Sequence, residues 1–536
     1  MDGLTMKNFN FKVILTSLIL VVTVTACTDH FSSLNTPPTS VTSIDPGFVF
    51  TEVIRDDNLN YNYEWIEARV FGGWAQQWGA NDPNNGIPQY FQPHRRNDNE
   101  FWELKYTTVL KNLDRTKSLI IEDTEESDPE ARSKLAMVRL YEVMTYETLT
   151  AVLGDIPFTE AVRGLEDIIN PVYDHQSEIY SELLNRINSN VSQLTEGDAT
   201  FGEADIIYQG DIENWRRFGN SLKLRTAMRM RYADPVAAEA AVTEAMSAPL
   251  ISSHNESAMV ATMAGGGSDE NAHPILEELR EPGDKSRIGH HLIEMLKENN
   301  DPRLEFIAEP TEASKSTFEE TGNPDDLDYQ GIAANLTNAD YNDMNLSELS
   351  FPALDIWGNE DLAVPVHVLT YPEVLFLQAE AALLGWGGNQ ADAQIYFEQG
   401  IRAAMTMPPY TNAGFNGATI SQEDIDNYVD SRTPLPADFE TALEQISEER
   451  YVALFSRGSQ AYLEWRRTGY PLLNPGTRTD NLTNGNIPRK AFYHESEQSL
   501  NRTNLQEAVD RQGGEDGYNA EIWIDQNTNN GQLFTN

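Results

Sequence analysis

The sequence predicts a mainly α-helical protein, a tetratricopeptide-type scaffold of helix pairs interrupted by irregular, loop-rich excursions. Three observations carry that expectation. Apolar residues recur at steps of three and four, which places them on one helix face. Carboxylate and hydroxyl residues stand where such stretches begin, able to accept the backbone N–H groups that a first turn leaves free. Between residues 370 and 405 two of these stretches are joined by a glycine turn.

The chain opens with an address. Lys7 and Lys12 precede the apolar run Val13–Val24, which is shorter than the roughly 20 residues a membrane-spanning helix needs. A basic start before a short apolar core reads as a secretory signal. The run ends in Val24-Thr25-Ala26-Cys27, and small residues ahead of a cysteine suit a lipoprotein signal peptidase. Cys27 is the one cysteine in 536 residues, so no disulfide can form within the chain. Residues 1–26 are expected to be the leader and 27–46 a lipidated tether. Ser32-Ser33, Thr36-Pro37-Pro38-Thr39-Ser40 and Asp45-Pro46 make that tether polar and resistant to helix formation.

From Phe48 to Tyr232 the pattern is largely helical. Asp211 is placed to cap a helix whose Ile212, Trp215, Phe218 and Leu222 share a face, with Arg216, Arg217, Lys223 and Arg225 opposite. Thr370 and Glu373 have capping-box spacing ahead of Val374, Leu377, Ala381 and Leu384. Gly385 and Gly387-Gly388 end that helix, and Ala391–Met405 follows with Ala393, Phe397 and Gly400 at steps of four and three. The pair is similar to a tetratricopeptide repeat, with Leu377, Glu380-Ala381 and Leu384 in place of its usual Trp, Leu-Gly and Tyr. A third helix carries Phe439, Leu443, Ile446 and Leu454 and is expected to end at Gly458. The scaffold is thus expected over about 47–250, 287–300, 369–406 and 437–470. The loop-rich remainder, about 251–286, 301–368, 407–436 and 471–536, is where binding residues are expected.

Eighty-four acidic against 38 basic residues give a net charge of −46, and no basic stretch could follow a phosphate backbone. Nucleic-acid binding is therefore excluded, as is direct adhesion to anionic lipid. Catalytic signatures are missing too. There is no His-Glu-x-x-His, no Gly-x-Ser-x-Gly and no phosphate loop, since Gly265-Gly266-Gly267 lacks the lysine that follows in one. The adjacent His290 and His291 would point apart on a helix. Asp525, Asn527 and Asn529 start like a calcium loop, but Asn530 stands where glycine is required. No catalytic residue, metal or cofactor is expected. The rival classes are a polysaccharide-degrading enzyme and a purely structural lipoprotein.

Several motifs in order resemble the SusD/RagB family of nutrient-binding outer-membrane lipoproteins of Bacteroidetes. They are Cys27 through Leu34-Asn35 to Pro37, Gly154-Asp155-Ile156-Pro157, Trp215-Arg216-Arg217-Phe218 and Asp301-Pro302-Arg303. Thr370-Tyr371 through Ala379-Glu380-Ala381, Glu464-Trp465-Arg466-Arg467-Thr468-Gly469 and Ile487-Pro488-Arg489 continue the series. Lys490 and His494 depart from the family pattern. The resemblance spans the whole chain after Cys27 and implies a single SusD-like domain over 47–536, anchored at the cell surface by lipid on Cys27. It implies capture of an oligosaccharide or polysaccharide, or in some members a peptide, for a SusC-like TonB-dependent transporter. Arg216, Arg225, Arg450, Arg466 and Arg467 are expected to pair with acids such as Glu373 and Glu380 between helices.

A sugar offers apolar C–H faces and a rim of hydroxyls, so its site needs flat aromatic rings with amides and carboxylates. Two places answer that description. Trp74-Ala75-Gln76-Gln77-Trp78 runs into amide-rich Asn81 to Asn85, and Trp74, Trp78 and Asn81 are its candidates. The second holds Tyr329, Tyr341, Asn342 and Trp357, the last before a Gly358-Asn359 turn. Trp65, Trp215, Trp386 and Trp465 are expected in the core, and Trp523 as packing for the C-terminal segment.

Overall fold

A computed structural model describes residues 44–59, 64–80, 95–264, 271–280, 286–476, 478–479 and 481–527. Cys27 with its leader and most of the tether, Asn81, and Gly265–Gly267 lie outside them. Residues 46–536 form one unit, and Pro46 opens its first helix.

The fold is mainly helical and is built from neighbours in sequence. Pro46–Asn58 packs on Lys111–Ile120, Arg132–Leu153 on Gln176–Gln193, and Ile212–Arg229 on Pro235–Met246. Ile212–Arg229 also packs against Tyr371–Leu383, which pairs with Gln390–Met405 and then meets Phe439–Ala453. Phe439–Ala453 leads into Gly458–Thr468. Strand is scarce. Trp78–Ala80 pairs antiparallel with Ser286–Ile288, and Ala258–Val260 with Val366–Leu369.

Local rules account for much of this. The Asp211 carboxylate accepts the Asn214 N–H at 2.9 Å, and Trp215, Phe218 and Leu222 behind it are fully buried. Lys223 and Arg225 on the opposite face are buried too, because Arg132–Leu153 and Tyr371–Leu383 cover this helix as well. Gly385 and Gly387 adopt φ near +80°, the left-handed turn that ends Tyr371–Leu383. At Gly400 an added Cβ would lie 2.7 Å from the Phe376 ring, so this glycine sets how closely the two paired helices approach.

Three expectations are corrected. Thr370 occupies the N-cap position but its hydroxyl makes no cap, since Glu373 turns inward to Arg457 at 2.9 Å. The Phe439 helix ends at Ala453, and Gly458 begins the next one. A Cβ at Gly458 would lie 1.9 Å from the Glu67 carbonyl oxygen, so close backbone approach, not helix termination, requires the glycine. The excursions also contain regular helices, Glu312–Thr321, Gln422–Arg432 and Arg502–Arg511. The second is opened by a Ser421–Asp424 capping box.

Arginine–glutamate pairs lock the stack. Arg225 reaches Glu147 at 3.4 Å and Glu373 at 3.6 Å, and Arg229 also pairs with Glu147. Arg467 bridges Glu380 and Glu464, Arg450 meets Glu464 at 2.8 Å, and Arg231 joins Glu380. Arg466 instead donates to the Arg489 carbonyl at 2.7 Å. Arg216, half-buried, pairs with Glu213.

Burial alone would raise the Glu464 carboxyl, but Arg450, Arg467 and Arg229 hold it down at about 2. A folded-state pKa below the free value means that its stabilising effect is complete above about pH 4.5 and fades as pH falls towards 2. Denaturation midpoints are therefore expected to drop between pH 5 and about pH 2–3, and Glu464→Gln is expected to flatten that part of the curve. An unchanged slope in the variant would assign the acid sensitivity elsewhere.

Candidate functional site

The backbone brings the two sequence-predicted regions together. Trp78–Ala80 pairs with Ser286–Ile288, and on the other side the Ile332 N–H donates to the Ile288 carbonyl at 2.9 Å. His290 N–H returns to the Ile332 carbonyl at 2.8 Å. Gly79 allows the approach, since a Cβ there would fall 2.2 Å from Ile332 Cγ2.

The rings themselves face inward. Trp78 is 3% exposed and stacks on Phe455 at 5.1 Å, while Trp357, also 3% exposed, meets the other side of the cluster edge-on at 5.3 Å from Phe455. Trp357 donates its indole N–H to the Phe306 carbonyl. Trp74 packs edge-on against Tyr462 and Tyr518, Tyr329 is buried in the main core, and Tyr341 is buried with Ile332 and Leu349. Asn342 ends the short helix Asn338–Asn342. The amides that suggested an edge are core too. Gln77 donates to the Tyr451 carbonyl at 2.6 Å and Gln76 to that of Asn474, which supplies acceptors for their buried amide N–H groups. Trp357→Ala is accordingly expected to cost about 3 kcal/mol of stability in a denaturant titration. A variant as stable as the parent would return this ring to the surface.

A cleft of about 900 Å³ opens elsewhere, beside the C-terminal segment. Its floor is the corner after Arg132–Leu153. Gly154 has φ +89°, and a Cβ there would strike the Gln512 amide at 2.3 Å and Ile522 at 2.7 Å. Asp155 accepts the Gln176 N–H at 2.9 Å and pairs with Arg511, whose other arm reaches the Tyr173 carbonyl. The Tyr493 hydroxyl donates to the Asp155 carbonyl at 2.7 Å and accepts from the Gln512 amide at 2.8 Å. One wall is Phe492 against Tyr518, ring centroids 4.7 Å apart. Behind it burial pushes the Asp98 carboxyl up to about 8, against a hydrogen bond from the Phe492 backbone. The other wall includes Trp523, half-buried and tilted 5.9 Å from Tyr180. Glu515, Asn519, Glu521 and Gln526 form an exposed rim.

Sequence reasoning missed this cleft because its floor and its walls come from segments more than 300 residues apart. The available signal was the double turn Gly513-Gly514, both with positive φ, set between Gln512 and Tyr518. Among the described residues no group of three or more His, Cys, Asp or Glu side chains could hold a metal ion. Asp525 is engaged by Arg489 at 2.7 Å, and Asn527 by the Arg467 and Thr468 carbonyls.

The family described as starch-binding and associating with the outer membrane matches residues 38–494. The chain belongs to the SusD-like family. Solved structures agree on the SusD-like fold. A chitin-binding protein superposes with a TM-score of 0.77 at 25% identity, over 90% of this chain and 100% of its own. A SusD-like protein designated Bacteroidetes AC2a gives 0.76 at 22% identity, and a SusD homologue from Bacteroides fragilis 0.72 at 22%. Both cover 90% of this chain and 100% of their own. No curated protein matches the sequence. The SusD-like motifs serve the scaffold here. Gly154-Asp155 makes the cleft floor, Trp215 donates to Asp205, and Arg303 and Arg467 hold buried acids.

Proposed function

We propose that this SusD-like chain is a cell-surface glycan-binding protein, lipid-anchored through Cys27, that hands an unaltered oligosaccharide to a SusC-like TonB-dependent transporter. The observation that carries the reading is the family match over residues 38–494. The fold supports it. A stack of helices cross-braced by buried ion pairs is a rigid platform, and the segments beside it supply an open cleft with rings and amides. Among the described residues no helix is long and apolar enough to cross a membrane, so attachment through lipid suits the chain. The chitin-binding neighbour makes N-acetylglucosamine oligomers the first ligands to try, with starch oligomers next, as the family description suggests.

The test is uptake by cells with and without the chain. At low concentrations of a fluorescent oligosaccharide, its loss should slow import while leaving the sugar uncleaved in the medium. Equal import without the chain would overturn delivery. Reducing ends released by the purified protein would overturn the non-catalytic reading.

A further inference from the structure

The geometry points to the cleft between the Gly154-Asp155 corner and the C-terminal segment as a carbohydrate subsite of its own, apart from the Trp78–Ile332 region, selective for uncharged oligosaccharides. It rests on the glycan-binding reading above.

The size is right, since ligand sites commonly enclose about 300–1,000 Å³ and this cleft holds about 900 Å³. The surfaces are right as well. Trp523 is the one tryptophan lining the cleft among the described residues and is half-buried, with its indole backed by Tyr180. The backbone beside it is fixed where the Ile524 N–H donates to the Gln176 side-chain carbonyl at 3.1 Å. A ring held in this way presents a flat apolar surface without losing rotamer freedom on binding. Exposed Asn519, Gln526, Glu515 and Glu521 stand around it as hydrogen-bond partners for hydroxyls.

Gln512 helps to fix the floor, since its amide N–H donates to the Tyr493 hydroxyl at 2.8 Å. Charge then sets the class. The lining carries Asp155, Glu515, Asp516 and Glu521 against the single cation Arg511, which is already held by Asp155 and the Tyr173 carbonyl. Among the described residues no cation of the lining is left for a uronate or a sulfate; Asp155, Asp516 and Glu521 are paired with Arg511, Lys490 and Arg489, and the exposed carboxylate of Glu515 repels an anion. Uncharged sugars, whose hydroxyls donate to carboxylates, fit.

Hydrogen exchange over residues 511–526 tests this directly on the intact protein, with N-acetylchitohexaose and maltohexaose as neutral probes and hexagalacturonate as the anionic one. Slower exchange in 511–526 with a neutral probe and none with hexagalacturonate is the expected result. Calorimetry should show Trp523→Ala weakening that binding at least tenfold, and Glu515→Lys narrowing the preference over hexagalacturonate. Because Trp523 also touches Tyr180, the exchange data on the parent protein decide if that variant fails to fold. Neutral-probe binding with protection only elsewhere, and unchanged in Trp523→Ala, would overturn the cleft and leave glycan capture standing. Protection by hexagalacturonate would overturn the selectivity. Binding of no probe would overturn both the cleft and the glycan reading.

Discussion

Arg303→Met is expected to lower folding stability by about 3–5 kcal/mol, the cost of breaking a buried ion pair from one side. Arg303 is fully buried, and its guanidinium meets Asp301 through two nitrogens and Glu449 at 2.6 Å. Methionine would fill much of the same space but leave the Asp301 carboxylate without its cation. Glu449 keeps other partners, Arg432 at 3.0 Å and the Tyr428 hydroxyl at 2.6 Å, whereas Asp301 pairs with no other cation among the described residues. Adding Asp301→Asn to the arginine variant should restore part of the loss, because the uncompensated charge disappears. Arg216→Ala, at a half-exposed pair, is expected to cost less than about 1 kcal/mol. Urea midpoints of the variants measure the contrast. Equal midpoints for Arg303→Met and Arg216→Ala would mean that the buried pair stabilises no more than a surface one.

Cys27→Ala is expected to abolish labelling by fatty acid and, once the leader is removed, to move nearly all of the protein from the membrane fraction to the soluble fraction. Each buried methylene contributes about 0.8 kcal/mol, and stable anchoring takes two acyl chains. The small residues before Cys27 are followed by a polar segment with no apolar stretch to replace the lipid. Fractionation with labelled fatty acid reads both halves of the claim. A variant that stays with the membrane would show that another contact holds it there.

The helical scaffold was legible because its rules are local. Asp211 caps through a residue three positions on, and Ile212, Trp215, Phe218 and Leu222 find the core through a period of 3.6. Expectations failed where a distant segment decided the outcome. Phe455 fills the space between Trp78 and Trp357, and nothing near either tryptophan announces it. Gln76 and Gln77 looked too polar for a core until carbonyls from Asn474 and Tyr451 came to meet them. Gly458 reads locally as a helix stop, but Glu67 makes the glycine necessary. Glu373 fits a capping box on spacing alone, yet a buried arginine offers its carboxylate a stronger partner than the Thr370 backbone N–H does. The candidate cleft was the least legible part. Its floor, its ring and its rim belong to segments around 154, 176 and 512–526 that only the fold assembles. Trp523 was expected to pack the C-terminal segment, and it does so on one side only.

The central claim is that this chain holds a glycan and leaves it whole. Isothermal titration of the purified protein with N-acetylchitohexaose and maltohexaose, followed by mass measurement of the recovered sugar after prolonged contact, tests it most directly. Saturable heat with at least one of the two and every hexamer recovered intact is the expected result. Shortened oligomers, or no heat with either, would contradict it.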